Sequence, residues 1–233
     1  MIHVQPFSRL GRFTNDWLNA RHHFSFGSYH DPRRMGVGGL RVWNDDEIAP
    51  GTGFDPHPHR DMEIITYVRD GAITHRDNLG NEGRTEAGDI QVMHAGTGIV
   101  HAEYNLERTP TRLFQIWIMP NRQGVAPGWG TKRFPRQGAG LALLASGRES
   151  DGQSDALPLH ADAALYAGTL KAGERVRHAL GAGRVAYLVP ASGGLTVNGV
   201  AAGTRDGVAV TGEPFVDVVA EEESEVVLVD VAE

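Results

Sequence analysis

The amino-acid sequence predicts an all-β protein that consists of two tandem β-barrels. Its 30 glycines and 12 prolines are spread along the chain and separate short runs of valine, isoleucine, threonine and tyrosine. This is the pattern of short strands joined by turns. The pattern of residues 67–74 returns weakly at 187–197, and the turn at 87–89 has a counterpart at 205–207. A weak internal repeat of this kind indicates a duplicated barrel.

The length and composition are those of a globular protein without disulfides. A chain of 233 residues forms one large domain or two of modest size, and a hydrophobic fraction of 40% is sufficient for a core. The net charge of −7 argues against a nucleic-acid or anionic-membrane partner. Because the chain has no cysteine, any metal must be held by nitrogen and oxygen ligands. The amino terminus lacks a secretory-signal pattern, and no apolar run could span a bilayer, so we expect a cytoplasmic protein.

The first half contains a series of predicted strands. The stretch around two adjacent histidines alternates between polar and apolar residues like a strand. His22 and His23 would then point to opposite faces and could not easily bind one ion, and we expect Phe24 and Phe26 to pack inward. Residues 112–119 are apolar on both faces, which predicts a central strand. Further strands are predicted at 40–43, 62–68, 72–75 and 90–93.

The second half repeats this organisation after a connection rich in proline, glycine, arginine and glutamine. We assign residues 1–125 to an amino-terminal domain, 126–140 to a linker and 141–233 to a carboxy-terminal domain. Asn198 and Gly199 form the strongest two-residue hairpin signal in the chain. Strands are predicted at 165–170, 184–189, 194–197, 208–210, 215–219 and 225–231.

Three histidines and a glutamate in the first half form a candidate metal site. His57 and His59 are two residues apart, and Pro58 keeps them in an extended segment, so both imidazoles project to one face. His101 can come from a neighbouring strand, and Glu103 shares its face. Three neutral nitrogens and one carboxylate suit a borderline divalent ion such as Fe, Mn, Ni, Cu, Co or Zn. An octahedral ion with four protein ligands keeps two positions for substrate and dioxygen, whereas a structural zinc site is closed.

Two motifs around these residues resemble the cupin motifs. The first runs from Gly51 to Gly71, and the second runs from Gly88 to Asn105. More narrowly, the chain closely resembles the pirin family of bicupins in the segments HPHRDMEIITYVRDG, MHAGTGIVHAEYN and RLFQIWIMP. Within that family it is most similar to the bacterial members related to quercetin 2,3-dioxygenases. The likeness includes HHFSFGSYHDP near the amino terminus and extends weakly through the second half.

The resemblance implies a bicupin fold of two jelly-roll barrels in which the amino-terminal barrel alone binds metal. It places the metal ligands at His57, His59, His101 and Glu103. The expected cofactor is one divalent transition-metal ion, Fe(II) in the first place, with Ni, Cu, Mn, Co and Zn as alternatives. Glu63 is a ligand in other cupins, and in a pirin it is expected outside the ligand set or in a structural role.

The resemblance also implies a reaction. Pirins are similar to flavonol dioxygenases, so the expected substrates are dioxygen and a flavonol such as quercetin, whose ring opens with release of carbon monoxide. Glu103 would take the proton of the substrate hydroxyl group as general base. We expect an apolar pocket wall from the side chains of Phe24, Phe26, Phe54, Met93 and Ile116.

Two other functions stay open. Eukaryotic pirins are iron-dependent partners of transcription factors, so the chain could be a metal-dependent regulatory protein that binds a transcriptional or metabolic protein. It could also be another cupin ring-cleaving dioxygenase or an isomerase, because the same ligands serve many chemistries on this fold.

Four further histidines have no assigned ligand role. His94 stands where small residues are usual in the family, and it could line the pocket, hydrogen-bond near the ligands or be satisfied in a turn. His75 matches a family histidine and is expected to be structural or to lie beside the ligands. His160 and His178 in the second half form no pair with the two-residue spacing, so we expect no copy of the site there.

Overall fold

The computed structural model describes residues 1–133 and 140–233, which form β-strands joined by turns and two 3-10 helices, Phe7–Arg9 and Glu149–Asp151. The first half contains β1 (Ile2–Gln5), β2 (Gly11–Thr14), β3 (Leu18–His22), β4 (Leu40–Ile48), β5 (Thr52–His59), β6 (Glu63–Asp70), β7 (Ala72–Asp77), β8 (Glu82–Glu86), β9 (Asp89–His94), β10 (Ile99–Asn105), β11 (Thr111–Ile118) and β12 (Gly128–Arg133). The second half contains β13 (Ala142–Ser146), β14 (Leu157–Pro158), β15 (Ala163–Leu170), β16 (Arg175–Ala179), β17 (Arg184–Ser192), β18 (Leu195–Val197), β19 (Val200–Ala202), β20 (Gly207–Val210), β21 (Phe215–Ala220) and β22 (Ser224–Ala232). The all-β prediction is confirmed. Within residues 1–133 and 140–233, no helix is long and apolar enough to cross a membrane.

The first barrel consists of a seven-stranded and a four-stranded antiparallel sheet. The large sheet has the order β12-β9-β6-β11-β4-β3-β2, and the small sheet has the order β5-β10-β7-β8. β11 pairs with β4 on one side and with β6 on the other, so the predicted central strand is confirmed. Phe114 and Ile116 on β11 face the second barrel, whereas Leu113 and Gln115 point into the first. Both faces of this strand are therefore covered, which explains its apolar character.

The second barrel repeats the plan with a seven-stranded and a four-stranded sheet. The large sheet has the order β1-β20-β17-β22-β15-β13-β14, and the small sheet has the order β16-β21-β18-β19. The predicted hairpin at Asn198 and Gly199 is confirmed, because it joins β18 to β19 with φ of 48° and 80°, as a two-residue turn requires.

Two pairings cross the predicted domain boundaries. β1, at the start of the chain, pairs with β20 of the second barrel. β12, inside the predicted linker 126–140, pairs with β9 of the first barrel. Residues 134–139 of that linker lie outside the described residues. The boundaries at 125 and 141 stay a prediction.

The two large sheets pack face to face across a shared apolar core. Trp43 of the first barrel has its ring centroid 5.5 Å from that of Phe114 and 5.5 Å from that of Tyr187 of the second barrel. Around them lie Ile65, Leu165 and other buried aliphatic side chains of both sheets. Burial of apolar surface between the barrels fixes their relative position.

The interiors of the two barrels differ in polarity. The second barrel is filled by aliphatic side chains, among them Leu188, Val208, Val218 and Leu228. The first barrel buries polar side chains in its middle, and these include Asn44, Asp46, Thr66, Gln91, Glu103 and Gln115. Buried polar groups are unfavourable unless they have partners. A ligand site is therefore expected in the first barrel.

Candidate metal centre

Three histidine side chains meet where β5 and β10 pair. His57 on β5 is the register partner of His101 on β10, and His59 is two residues further along β5. Their ligand nitrogens all lie within 4.8 Å of one another. Gly53 permits the close pairing of the two strands, because a Cβ atom there would lie 2.1 Å from the carbonyl oxygen of Glu103. The structure thus forms a three-histidine cluster that could hold a metal ion.

Burial keeps two of these imidazoles neutral. Together with the smaller effect of neighbouring histidines, it lowers the pKa of His59 to about 4 and the pKa of His101 to about 3. A neutral imidazole offers a lone pair to a metal ion at neutral pH, whereas an imidazolium cannot.

Several ring nitrogens of the cluster are free to bind an ion. His57 Nδ1 lies 2.7 Å from the backbone carbonyl oxygen of Asp55. Because a carbonyl can only accept, Nδ1 carries the proton and Nε2 keeps the lone pair. Within the described residues, His59 Nε2 and both ring nitrogens of His101 are buried without a hydrogen-bond partner. Such atoms are unfavourable unless satisfied, so this donor set fits a borderline transition-metal ion.

Glu103 is held apart from the cluster by its own hydrogen bonds. Its carboxylate accepts hydrogen bonds from Thr66 Oγ1 at 3.2 Å, from Gln91 Nε2 and from Gln115 Nε2 at 2.9 Å. β10 keeps its regular alternation against β7, so His101 and Glu103 share a face as predicted, and the bulge opposite Ala102 lies in β5. Among the described residues, the ligand atoms within 4.8 Å of one another are those of the histidines alone. Glu103 is turned toward β6, β9 and β11.

The protonation equilibrium of Glu103 lies near neutrality. Burial raises the pKa of its carboxyl group to about 7, and the hydrogen bonds from Thr66, Gln91 and Gln115 oppose the rise. A carboxyl group with this pKa can take up or release a proton at neutral pH, which is the property of a general base or acid.

An aromatic cavity of about 440 Å³ opens beside the histidines. A second compartment of about 280 Å³ shares Phe26, Phe54 and Gln115 with it. The combined space is in the range of small-molecule sites. The wall of the larger cavity is formed by Trp17, Phe26, Gly53, Phe54, Asp55, His57, His59, Gln115 and Trp117.

The predicted pocket wall is partly wrong. Phe26 and Phe54 line both compartments. Phe24 and Ile116 instead lie in the core between the barrels, and Met93 belongs to a small separate apolar cluster. For Ile116 the physical cause is that both faces of the large sheet are buried. Apolar character therefore does not distinguish the cavity face from the interface between barrels.

Glu63 and His94 lie on the side of the large sheet that faces the second barrel. Glu63 accepts a hydrogen bond from His94 Nδ1 at 2.6 Å and another from the backbone N–H of His160 at 3.1 Å. The rings of His94 and His160 are 4.8 Å apart. These contacts join the two barrels, so the position of Glu63 is structural.

The remaining histidines of the first half lie outside the cluster. His75 has its ring 5.4 Å from that of His101 and stacks on Trp129, while its Nε2 lies 3.0 Å from Asp77. The adjacent histidines of the amino-terminal segment point to opposite sides, which confirms the prediction from strand alternation. His22 lines the smaller compartment, and His23 lies 2.9 Å from the Tyr187 hydroxyl between the barrels.

The prediction from sequence did not include the two glutamine amides that donate hydrogen bonds to Glu103. Gln91 and Gln115 each stand between two apolar residues of a strand, and each points into the first barrel. A single amide in an otherwise apolar, buried strand needs a partner. That pattern was visible in the sequence and could have identified both residues.

The architecture and the site together define the class of protein. Two tandem barrels, a three-histidine cluster in the first and an aliphatic interior in the second, are the features of a bicupin whose described residues offer one candidate metal centre.

Comparison with known proteins narrows this class. The Pirin family model matches residues 4–118, and the model of the Quercetinase C-terminal cupin domain matches residues 143–231. The chain therefore belongs to the pirin family. A Pseudomonas aeruginosa protein provisionally named a quercetin 2,3-dioxygenase is 63% identical over 234 residues, which cover 100% of both chains. The quercetin 2,3-dioxygenase of Escherichia coli strain K12 is 41% identical over 232 residues, which cover 99% of this chain and 98% of that protein.

The crystal structure of the bacterial pirin YhhW from Escherichia coli in complex with nickel(II) has the same fold. It matches with a TM-score of 0.93 at 41% identity, and the match covers 100% of this chain and 99% of that chain.

Proposed function

We propose that the protein is a metal-dependent dioxygenase that cleaves flavonols such as quercetin with dioxygen and releases carbon monoxide. The observation that carries the proposal is the cluster of His57, His59 and His101 beside an aromatic cavity. The name of the Escherichia coli relative, quercetin 2,3-dioxygenase, supports the same reaction.

The proposed ion is Fe(II), held by His57, His59, His101 and Glu103. When bound, it would supply a Lewis acid that lowers the pKa of the substrate hydroxyl group and a redox centre for dioxygen. Glu103 joins the ligands only by giving up hydrogen bonds to its neighbouring amides. The nickel(II) in the Escherichia coli structure supports a transition metal on this scaffold and leaves its identity in this chain to experiment.

Glu103 is the proposed general base. With a pKa of about 7 it is substantially ionised at neutral pH and can take the proton of the substrate hydroxyl group. Glu103 acts as base when it is off the ion, and in that position Gln91 and Gln115 donate to its carboxylate and hold it in one orientation. Their hydrogen bonds favour the ionised form, so they keep the base available in spite of its burial.

The aromatic wall is proposed to hold the flat ring system of the substrate. Trp117 meets His59 edge to face at 4.9 Å, and Phe54 meets Trp17 edge to face at 5.1 Å. Rings fixed in this way offer faces and edges to a planar aromatic molecule.

The test is turnover of quercetin under air by protein reconstituted with Fe(II), with carbon monoxide collected in the headspace. The His59→Ala variant should lose turnover and bound iron. The matched control is His30→Ala, which removes an exposed histidine of the same half and should keep both. Equal turnover in the wild type and the His59→Ala variant would refute the proposal.

The same experiment separates the alternatives. If the protein binds iron stoichiometrically and produces no carbon monoxide from quercetin, the flavonol assignment is wrong. The metal-dependent regulatory protein and the other cupin reactions then become the hypotheses to test, the first by search for a protein partner.

A further inference from the structure

The smaller compartment has the composition of a binding site and no part in the proposed chemistry. Its volume is about 280 Å³, and it lies between β2, β3 and β4 of the first barrel. Aromatic side chains cover it on one side, including Phe13, Phe26 and Phe54. Polar side chains of neighbouring strands, His22, Asn44, Asp46 and Gln115, stand among the apolar ones. A mostly apolar wall with a few polar groups is typical of small-molecule sites.

Asp46 is the buried polar group of this compartment that lacks a partner. Its side chain is 2% exposed, and within the described residues its Oδ1 atom accepts no hydrogen bond. The nearby His22 Nδ1 is already used, since it lies 2.8 Å from Asn44 Oδ1. A buried carboxyl oxygen without a partner is unfavourable. It is therefore the atom that a ligand can satisfy.

Burial favours the protonated form of Asp46, which is a hydrogen-bond donor as well as an acceptor. Desolvation, with smaller contributions from Asp45 and Glu103, raises its pKa well above the ordinary value. A protonated carboxyl group carries one O–H donor and a carbonyl acceptor. A hydroxyl group has the same two capacities and is its natural complement.

The two compartments lie side by side. Phe26, Phe54 and Gln115 belong to the walls of both, so the smaller space adjoins the space beside the histidines. A cavity of about 150 Å³ can hold benzene, and 280 Å³ is enough for one substituted aromatic ring. Phe54 has its ring 6.3 Å from that of His57, so it lies between the cluster and the smaller compartment.

We propose that the smaller compartment binds the second, hydroxylated aromatic ring of the substrate, and that Asp46 selects for its hydroxyl groups. The inference rests on the proposed function, since it assigns the substrate class of the same site. The ligand would be an elongated molecule of two linked ring systems. One ring system reaches the histidines, and the other lies against Phe13 and Phe54.

The test is ligand binding without turnover. Protein loaded with Ni(II) is titrated under nitrogen, and quenching of tryptophan fluorescence reports binding through Trp17 and Trp117. Three probes are used: quercetin, a flavonol whose pendant ring has no hydroxyl groups, and a bicyclic 3-hydroxychromone without the pendant ring. The wild type should bind quercetin about tenfold more tightly than the flavonol without hydroxyl groups, because one to two hydrogen bonds are gained.

Two variants address the compartment. Asp46→Leu should remove the tenfold preference and leave binding of the unhydroxylated flavonol unchanged, which also shows that the variant is folded. Ser28→Trp places a bulky side chain at an exposed position of the wall. It should weaken binding of both flavonols and leave binding of the bicyclic probe unchanged. Ser150→Trp, an exposed serine of the second half, is its matched control and should behave as the wild type.

The outcomes separate this inference from the proposed function. The inference is overturned if Asp46→Leu keeps the preference for quercetin over the unhydroxylated flavonol. It is also overturned if Ser28→Trp weakens binding of all three probes equally. Both conclusions hold even if quercetin is turned over. Loss of the preference in Asp46→Leu supports it even if no carbon monoxide is produced. Failure of the wild type to bind quercetin overturns it outright.

Discussion

Replacing Glu103 with glutamine should make the metal-free protein more stable at alkaline pH relative to the wild type. Burial raises the pKa of Glu103 from 4.5 to about 7. Below pH 4.5 the group is protonated in both the folded and the unfolded state, so its ionisation does not affect the free energy of unfolding. Above pH 7 it is ionised in both, and its burial destabilises the folded state. At 1.36 kcal/mol per pKa unit, this cost is about 3 kcal/mol.

The assay is urea unfolding of metal-free wild type and Glu103→Gln at pH 5 and at pH 8. An amide does not titrate, so any constant effect of the substitution cancels between the two pH values. The stability of the variant minus that of the wild type should rise by roughly 2 to 3 kcal/mol from pH 5 to pH 8. The same difference at both pH values would refute the conclusion that the carboxyl group titrates near neutrality.

Three further predictions concern the base, the contact between barrels and the metal. Gln115→Leu removes a hydrogen bond that favours ionised Glu103, so the acidic limb of the pH–rate profile should move up by roughly one unit. His94→Ala removes a partner of buried Glu63 and should lower the free energy of unfolding by about 1 to 3 kcal/mol, with unchanged metal content. A chelator should lower the Tm of the loaded wild type, because the ion binds the folded state alone, and should not affect His59→Ala. Stopped assays across pH test the first prediction, and an unshifted pH–rate profile would contradict it. Denaturant titration tests the second, and an unchanged free energy of unfolding would contradict it. Calorimetry tests the third, and an unchanged Tm of the loaded wild type would contradict it.

The parts of the site that the sequence predicts are those set by local geometry. His57 and His59 share a face because an extended segment alternates with a period of two, and the prolines around them keep the segment extended. The same rule correctly predicts that His22 and His23 lie on opposite faces of the strand segment. Strand alternation is a property of the chain itself and needs no knowledge of distant residues.

The parts that the sequence does not predict depend on packing between distant segments. The environment of Glu103 is built by Gln91 and Gln115, which come from strands of the opposite sheet. The bulge opposite Ala102 lies in β5, so the regular alternation of β10 predicts the face of Glu103 but not the side chains that it contacts. Ile116 is buried by the second barrel rather than by a ligand, and that contact exists only once both barrels have formed.

The most direct test of the metal centre is an anomalous difference map at the iron edge from crystals grown with Fe(II). We predict one strong peak at bonding distance from nitrogens of His57, His59 and His101, with an oxygen of Glu103 moved off its glutamines to reach it. A peak at those histidines with Glu103 still on Gln91 would contradict the four-ligand set. Iron density between the barrels beside Glu63, or none at the three histidines, would contradict the metal centre itself.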